Sequence, residues 1–322
     1  MKLDLISIGD ATLDTFIKLE EASVHCDLKK EACVLCLSYA DKIAIPRPEE
    51  STGGNAANNA VGSARLGLKS AVYSVLGDDK TGHHIKELIK QEGVATDYLT
   101  IQPGSETNRS FILNFQGERT ILVYHAARTY KLPKLDDATW IYLTSMGQGH
   151  LGVHDDLLAW LTGRATKLAF NPGTHQLKDG LEKLKPVLER TDLVFVNKEE
   201  AQRLVGDIKD MKELLRAMRQ VGPKVVIITD GTAGSYAYDG QEFWHCGITG
   251  SPVVERTGAG DAFATGVLAA IFHGETIPEA MHWGTMNSGS VIGKVGPQAG
   301  LLNRDGMKEW LAKYPETRAE KI

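Results

Sequence analysis

Pro252-Val253-Val254-Glu255-Arg256-Thr257-Gly258-Ala259-Gly260-Asp261-Ala262-Phe263 is the stretch whose reading decides the fold. A short apolar, strand-like run over 252–254 ends in Thr-Gly-Ala-Gly-Asp, and apolar residues at helical spacing continue to about His273. Small residues at 258–260 permit a tight turn and leave the backbone N–H groups uncovered. At a helix start the first four N–H groups lack intrahelical partners and sit at the positive end of the dipole. The stretch therefore predicts an anion site made of backbone, suited to phosphate oxygens. Asp261 falls in the first turn, beside that anion. A carboxylate is a poor phosphate ligand, so its use there is to take a proton from a nucleophile attacking phosphorus. Tight packing of a helix on a sheet, with Asp261 merely favourable at the helix start, is the competing explanation for so short a motif.

Size and composition fit an enzyme of that kind. The 322 residues suffice for one large α/β domain or two ordinary ones. Hydrophobic residues at 42% and charged residues at 24% describe a soluble globular chain. The net charge of −5, with no long basic run, argues against a nucleic-acid partner. No apolar stretch approaches the roughly 20 residues of a membrane span. Leu3–Ile8, preceded by Lys2 and interrupted by Asp4, reads as a first strand and not as a signal peptide. A cytoplasmic protein is expected.

Working back from the opening stretch, strands alternate with helices through the chain, which predicts one doubly wound α/β domain. Gly9 to Asp14 turns at the carboxyl end of the first strand, where ligands of open α/β sheets gather, so Asp14 is placed to accept hydrogen bonds from substrate hydroxyls. Residues 15–50 are irregular. Thr15-Phe16-Ile17-Lys18 and Lys42-Ile43-Ala44-Ile45 read as two strands around a long excursion, a small lid inserted in the domain. Arg109–Phe115 and Thr120–Tyr124, joined by Gln116-Gly117-Glu118-Arg119, read as a hairpin supplying the other lid strands, so the lid spans about 15–50 and 106–126. Between them Gly53-Gly54-Asn55-Ala56-Ala57-Asn58-Asn59 opens a helix. Paired glycines admit close approach of backbone to a ligand, and amides on one helix face offer donors and acceptors together.

The 257–263 string and the Gly53–Ala60 string closely resemble the two signature motifs of the ribokinase, or PfkB-type carbohydrate kinase, family, and the likeness runs from Leu3 to about Leu302. It implies a ribokinase-like fold. It also implies that Gly258, Ala259 and Gly260 form an anion hole for the transferred phosphoryl group, with Asp261 as catalytic base. Asp14, Gly53, Gly54 and Asn58, with Asn55 beside them, are implied on the sugar. Asn197 and Glu200 match an Asn-x-x-Glu motif that organises Mg²⁺ and its waters. Without the resemblance, Glu200 is a first-turn helix glutamate. Thr229, Gly231 and Gly234 fall along the ATP site, and Asn287 lies in a segment that closes over adenine.

The first βα turn lacks Gly-x-Gly-x-x-Gly and no Gly-x-x-x-x-Gly-Lys-Ser/Thr is present, which excludes a Rossmann dehydrogenase and a P-loop enzyme. The expected activity is ATP-dependent phosphorylation of a hydroxymethyl group of a sugar. A nucleoside kinase of the adenosine type, or a sensor that kept the fold and lost the chemistry, are the alternatives. One departure is Glu255-Arg256, where the family usually has Asp-Thr. That acidic position often helps hold a monovalent cation, so the departure puts K⁺ activation in question.

Two further expectations concern the lid. Cys26, Cys33 and Cys36 cluster with His25, and in a reducing cytoplasm a disulfide framework is not expected. Free thiols packed in the lid and a structural Zn²⁺ are both open, although a second Cys-x-x-Cys is missing. The lid strands carry apolar residues on both alternating faces. One face can cover the substrate, and the other invites a homodimer joined through the lids.

Overall fold

The computed structural model describes residues 2–27, 33–116 and 118–322. In chain order the strands are β1 (Leu3–Ile8), β2 (Thr12–Lys18), β3 (Ser23–Cys26), β4 (Cys33–Cys36), β5 (Glu49–Gly53), β6 (Ser70–Gly77), β7 (Leu99–Gln102), β8 (Arg109–Phe115), β9 (Glu118–Tyr124), β10 (Ala138–Leu143), β11 (Lys167–Phe170), β12 (Leu193–Asn197), β13 (Val225–Thr229), β14 (Ser235–Tyr238), β15 (Phe243–Cys246) and β16 (Glu320–Lys321). The helices are α1 (Asn55–Arg65), α2 (Lys80–Gln91), α3 (Leu151–Leu161), α4 (Thr174–Asp179), α5 (Leu181–Arg190), α6 (Lys198–Val205), α7 (Met211–Gln220), α8 (Ala259–Phe272), α9 (Ile277–Val291) and α10 (Arg304–Lys313).

The central strands are near-continuous apolar runs because both their faces are covered. Alternate side chains point to opposite sides. Ile6, Ile141, Leu168, Val194 and Val226 join one core with α3, α5 and α7, whereas Leu5, Trp140, Ala169, Leu193 and Ile227 join a second core with α8 and α9. Ten strands form the sheet in the order β16-β15-β14-β13-β12-β11-β10-β1-β6-β7. All pairings from β7 to β13 are parallel, and the last three, through β14, β15 and β16, are antiparallel. The chain is doubly wound, as its alternation of strands and helices predicts. Every parallel strand ends at the same edge, and the loops of that edge carry the site.

A second, four-stranded sheet, β5-β2-β8-β9, stands off that edge. β2 pairs antiparallel with β5 and parallel with β8. Phe16 and Ile112, side by side in register, bury one of its faces, while Phe111, Ile121, Leu122, Val123 and Tyr124 are exposed. The returning strand is β5, not the expected 42–45, which has no regular structure. Gly117 of the expected turn lies outside the described residues. The run 252–254 is not a strand either: Val253 and Val254 are exposed, and the Val254 and Glu255 N–H groups donate to Ile292 O without a strand partner.

The long excursion holds a hairpin of β3 and β4, which corrects the reading of its cysteines. Register places Cys26 directly opposite Cys33, and the two form a disulfide. Facing positions of an antiparallel pair bring Cβ atoms within disulfide reach. Cys36 is three residues further along the strand, opposite Ser23, and so projects from the other face. A Cys-x-x-Cys laid out as strand does not converge on one metal. His25 instead contacts the Ser23 hydroxyl at 3.2 Å. The Zn²⁺ set of Cys26, Cys33 and Cys36 is therefore not formed.

Candidate active site

Asp261 is the centre of the site, and its position follows from two helix starts that meet. Gly258, at φ +80°, caps α8 in the left-handed conformation. A Cβ there would be strained and would lie within 2.7 Å of Pro297 Cα, so only glycine makes this turn without displacement. The turn brings Asp261 into the first turn of α8, where the Gly260 and Asp261 N–H groups have no intrahelical acceptor. The Ala259 N–H is drawn back onto Arg256 O at 3.3 Å. Opposite stands α1, which begins after Gly54, itself at φ +89°.

The amides of α1 do something the sequence did not predict. Asn55 Nδ2 donates to Asp261 Oδ1 and Asn58 Nδ2 donates to Asp261 Oδ2, each at 2.8 Å. Asn58 Oδ1 in turn accepts from Gln298 Nε2 at 3.0 Å. These two asparagines, expected on sugar hydroxyls, also orient the Asp261 carboxylate. Asn59, one residue on, is spent on Ser7 and Thr265. Burial pushes the Asp261 carboxyl up to about 6, against the Asn58 and then the Asn55 hydrogen bonds, and the charge of nearby Asp14 adds to the rise.

Asp14 enters from β2. Thr12 Oγ1 donates to its Oδ1 at 2.9 Å, and Ser110 of β8 also bonds to it. Burial raises its pKa above the usual carboxylate range despite these bonds. Its carboxylate lies against Gly53, where a Cβ would collide with it. Gly53, Gly54, Asp14, Asn55, Asn58 and Asp261 thus converge, as the two motifs imply. Asp10, not singled out in the sequence, is also buried here and accepts from Tyr130 Oη at 2.8 Å. Burial raises it to about 6.

On the other side of Asp261 are the ends of β12 and β13. Asn197 and Glu200 form a reciprocal capping box: Asn197 Oδ1 accepts the Glu200 N–H at 2.8 Å, and Glu200 Oε2 accepts the Asn197 N–H at 2.9 Å. The bland reading of Glu200 as a first-turn glutamate is thus also realised. Glu200 Oε1 stays free of that box, and burial, with Asp261 charge adding, raises the Glu200 carboxyl. A carboxylate held in that state gains from a neighbouring cation, so the donor set fits a hydrated Mg²⁺. Thr229 ends β13, and Gly231 has open space around its Cα. Gly234, at φ +89°, packs on Cys246 O.

Asn287 does not belong to this group. It is fully buried; its Nδ2 donates to Ala262 O at 2.7 Å and its Oδ1 accepts the Leu302 N–H at 2.9 Å. Both ends of the amide are used to pin α9 to α8, so the expectation that it meets adenine is corrected. At Glu255, the charge a monovalent cation would bring is already met by the Arg119 guanidinium, with Nε 3.8 Å from Glu255 Oε1.

Known proteins resemble this chain in sequence and in fold. The profile of the pfkB family carbohydrate kinases matches residues 15–304. An ATP-dependent 6-phosphofructokinase of Thermoanaerobacterium thermosaccharolyticum is 24% identical, over 95% of this chain and 93% of that protein. A nucleoside kinase of Methanothermobacter thermautotrophicus is 24% identical, over 97% of this chain and 96% of its own length. The structure of an Arabidopsis thaliana ribokinase complexed with ribose and ATP superposes with a TM-score of 0.78 at 19% identity, covering 97% of this chain and 99% of that one.

Proposed function

The chain belongs to the pfkB family of carbohydrate kinases, and from that membership we propose that it phosphorylates a hydroxymethyl group of a sugar, as a ribokinase or fructokinase does. It is a phosphotransferase with an alcohol group as acceptor and ATP as donor. The observation that carries the reading is Asp261, held by two amide donors at a helix N-terminus with its carboxyl near 6. A base needs a pKa near working pH and a fixed direction of approach, and both are present.

In this reading the acceptor hydroxyl lies on Asp261, which takes its proton as the oxygen attacks the γ-phosphorus of ATP. The proton ends on Asp261 and ADP leaves. Asp14, with the Gly53–Gly54 backbone, holds neighbouring hydroxyls of the acceptor. Asn55 and Asn58 act through Asp261. Residues 258–260 shape the anion hole, whose free N–H donors are those of Gly260 and Asp261, the Ala259 N–H being drawn onto Arg256 O. Glu200 and Asn197 would hold the waters of a Mg²⁺ ion, which would neutralise phosphate charge when bound. Thr229, Gly231 and Gly234 line the nucleotide. The second sheet serves as the lid of a single domain over 1–322, excluding water that would otherwise hydrolyse ATP.

A nucleoside acceptor is the second reading, since a ribose carries the same hydroxymethyl group and a nucleoside kinase is among the relatives. The enzyme works in the cytoplasm, where ATP is made, as a homodimer through the exposed lid face. ADP release measured across a panel of pentoses, hexoses and nucleosides tests the function. Turnover of a sugar supports the first reading, turnover of nucleosides alone replaces it with the second, and ATP left unconsumed across the panel removes both.

A further inference from the structure

Glu255 is enclosed, at 3% exposure, directly before the turn into α8. Its Oε1 accepts the Thr257 N–H at 2.7 Å, and Thr257 precedes Gly258. Its Oε2 and the Thr257 hydroxyl are buried without a partner among the described residues. Asp14 lies close enough to bring like charge to it. A carboxylate so placed is costly unless a cation compensates it. The ion pair it makes is with Arg119, which is not a neighbour in the chain but stands on β9, the outer strand of the second sheet.

We propose that Arg119 is a positioning residue for the anion hole, acting through Glu255. The guanidinium lets Glu255 stay buried, and buried Glu255 fixes the Thr257 N–H and with it the turn that aims the α8 N-terminus. When the second sheet lifts, Glu255 loses its counter-charge and turns toward water, and the turn at 255–258 slackens. The phosphoryl site is then complete only with the sheet down over an acceptor. This inference rests on the reading of 258–261 as the phosphoryl site. Misplacing the turn by about 1 Å costs on the order of 10²-fold in rate. The rival role is direct: Arg119 itself touches the transferring phosphoryl group and Glu255 is a bystander.

Charge removal separates the two. Arg119→Gln leaves Glu255 uncompensated and is expected to lower kcat about 10²-fold. Glu255→Gln alone keeps an acceptor for Thr257 and needs no cation, so it is expected to lose less rate than Arg119→Gln. The double variant Arg119→Gln/Glu255→Gln is expected to recover most of the lost rate, and Arg119→Lys to retain it. A double variant no faster than Arg119→Gln, both melting like wild type, overturns the proposal in favour of direct contact. Hydrogen exchange of the amides over 255–262 is the second readout and needs no acceptor. Faster exchange in Arg119→Gln, restored in the double variant, supports the latch; wild-type exchange in Arg119→Gln overturns it. Because that readout is independent of turnover, a failure to find an acceptor would count against the proposed function alone.

Discussion

Asn58 Nδ2 donates to Asp261 Oδ2 across 2.8 Å and across 203 residues of sequence. The bond joins the first turn of α1 to the first turn of α8, and Gln298 fixes it from behind by donating to Asn58 Oδ1. Asn58 is thereby the leading hydrogen-bonded restraint on the pKa of the candidate base, opposing its burial. In Asn58→Ala the restraint is gone, and the acid limb of kcat/KM is expected to move above its wild-type position near 6. Asn55→Ala should move it the same way by less. A limb that stays put, or moves to lower pH, would show that the titrating group is not Asp261.

Asp261 and Asp10 both have folded pKa values raised to about 6 from an ordinary 3.8. Between those values the folded state binds more protons than the unfolded chain. Stability from these two groups is therefore fully present below about 3.8 and is lost as pH rises through about 6. Catalysis by Asp261 has the opposite sign, since only the ionised carboxylate accepts a proton. From pH 7 to 5 we expect kcat/KM to fall by about tenfold for each unit below 6, while this contribution to stability increases. Melting curves at pH 5, 6 and 7, alongside rates, check the pair of signs. Activity loss that tracks a falling melting temperature would mean acid unfolding, not titration of the base.

Asp261→Asn removes the proton acceptor while leaving the N–H groups of the α8 start in place. Turnover on the true acceptor is expected to drop roughly 10²–10⁴-fold, with ATP still bound in calorimetry. A variant keeping more than half of wild-type kcat would rule out the base.

Much of this was legible in the sequence, and the reasons differ from one element to the next. The central sheet could be read because buried parallel strands such as β13 are unbroken β-branched runs between turn signals. Asp14, Gly53, Gly54 and Asp261 could be read because their motifs are contiguous. What could not be read depends on residues that meet only in space. Nothing local to Asn55 or Asn58 says that their amides face a carboxylate on another helix. Gln298 sits in a Gly-Pro-Gln-Ala-Gly loop with nothing local to tie it to Asn58. Asn287 was assigned by the family resemblance alone, which does not show that a loop N–H and a helix carbonyl take up both ends of its amide. Pro252 to Val254 looked like a strand by composition, but no neighbouring strand is there to pair with it.

Gly258 and Gly260 make a contrast that composition alone would miss. Gly258 has positive φ and abuts Pro297, so Gly258→Ala carries about 1–3 kcal/mol of backbone strain plus a clash, and should lower the melting temperature as well as the rate. Gly260 has nothing within 4 Å of where a Cβ would stand. Gly260→Ala should melt like wild type yet lose activity, because the methyl group occupies the space left for phosphoryl oxygens. Equal destabilisation by the two substitutions, or full activity of Gly260→Ala, would contradict the assignment of that space.

The dimer is the last prediction, and the second sheet supplies its argument. Ile112 is fully buried, on the face turned toward the main domain, whereas Leu122 and Val123 on β9 are 53% and 60% exposed. Phe111 and Tyr124 share the face of Leu122, opposite to that of Ile112, whereas Ile121 and Val123 lie on the Ile112 side of the exposed edge, and β9 is an edge strand with its outer backbone groups unpaired in the sheet order among the described residues. An apolar edge of this kind is covered or it aggregates. The β3–β4 hairpin adds Val24 and Val34 to the exposed apolar surface and, among the described residues, does not pair with β9. A second copy meeting the first about a two-fold axis covers both edges at once. Light scattering at micromolar concentration is expected to give about twice the 35.1 kDa of one chain. Leu122→Lys, which places a charge in the proposed contact without touching the buried face, should shift that mass toward one chain and raise KM for the acceptor more than it changes kcat. A wild-type mass of one chain across the concentration range would remove the dimer, and a Leu122→Lys protein still at twice that mass would move the contact elsewhere.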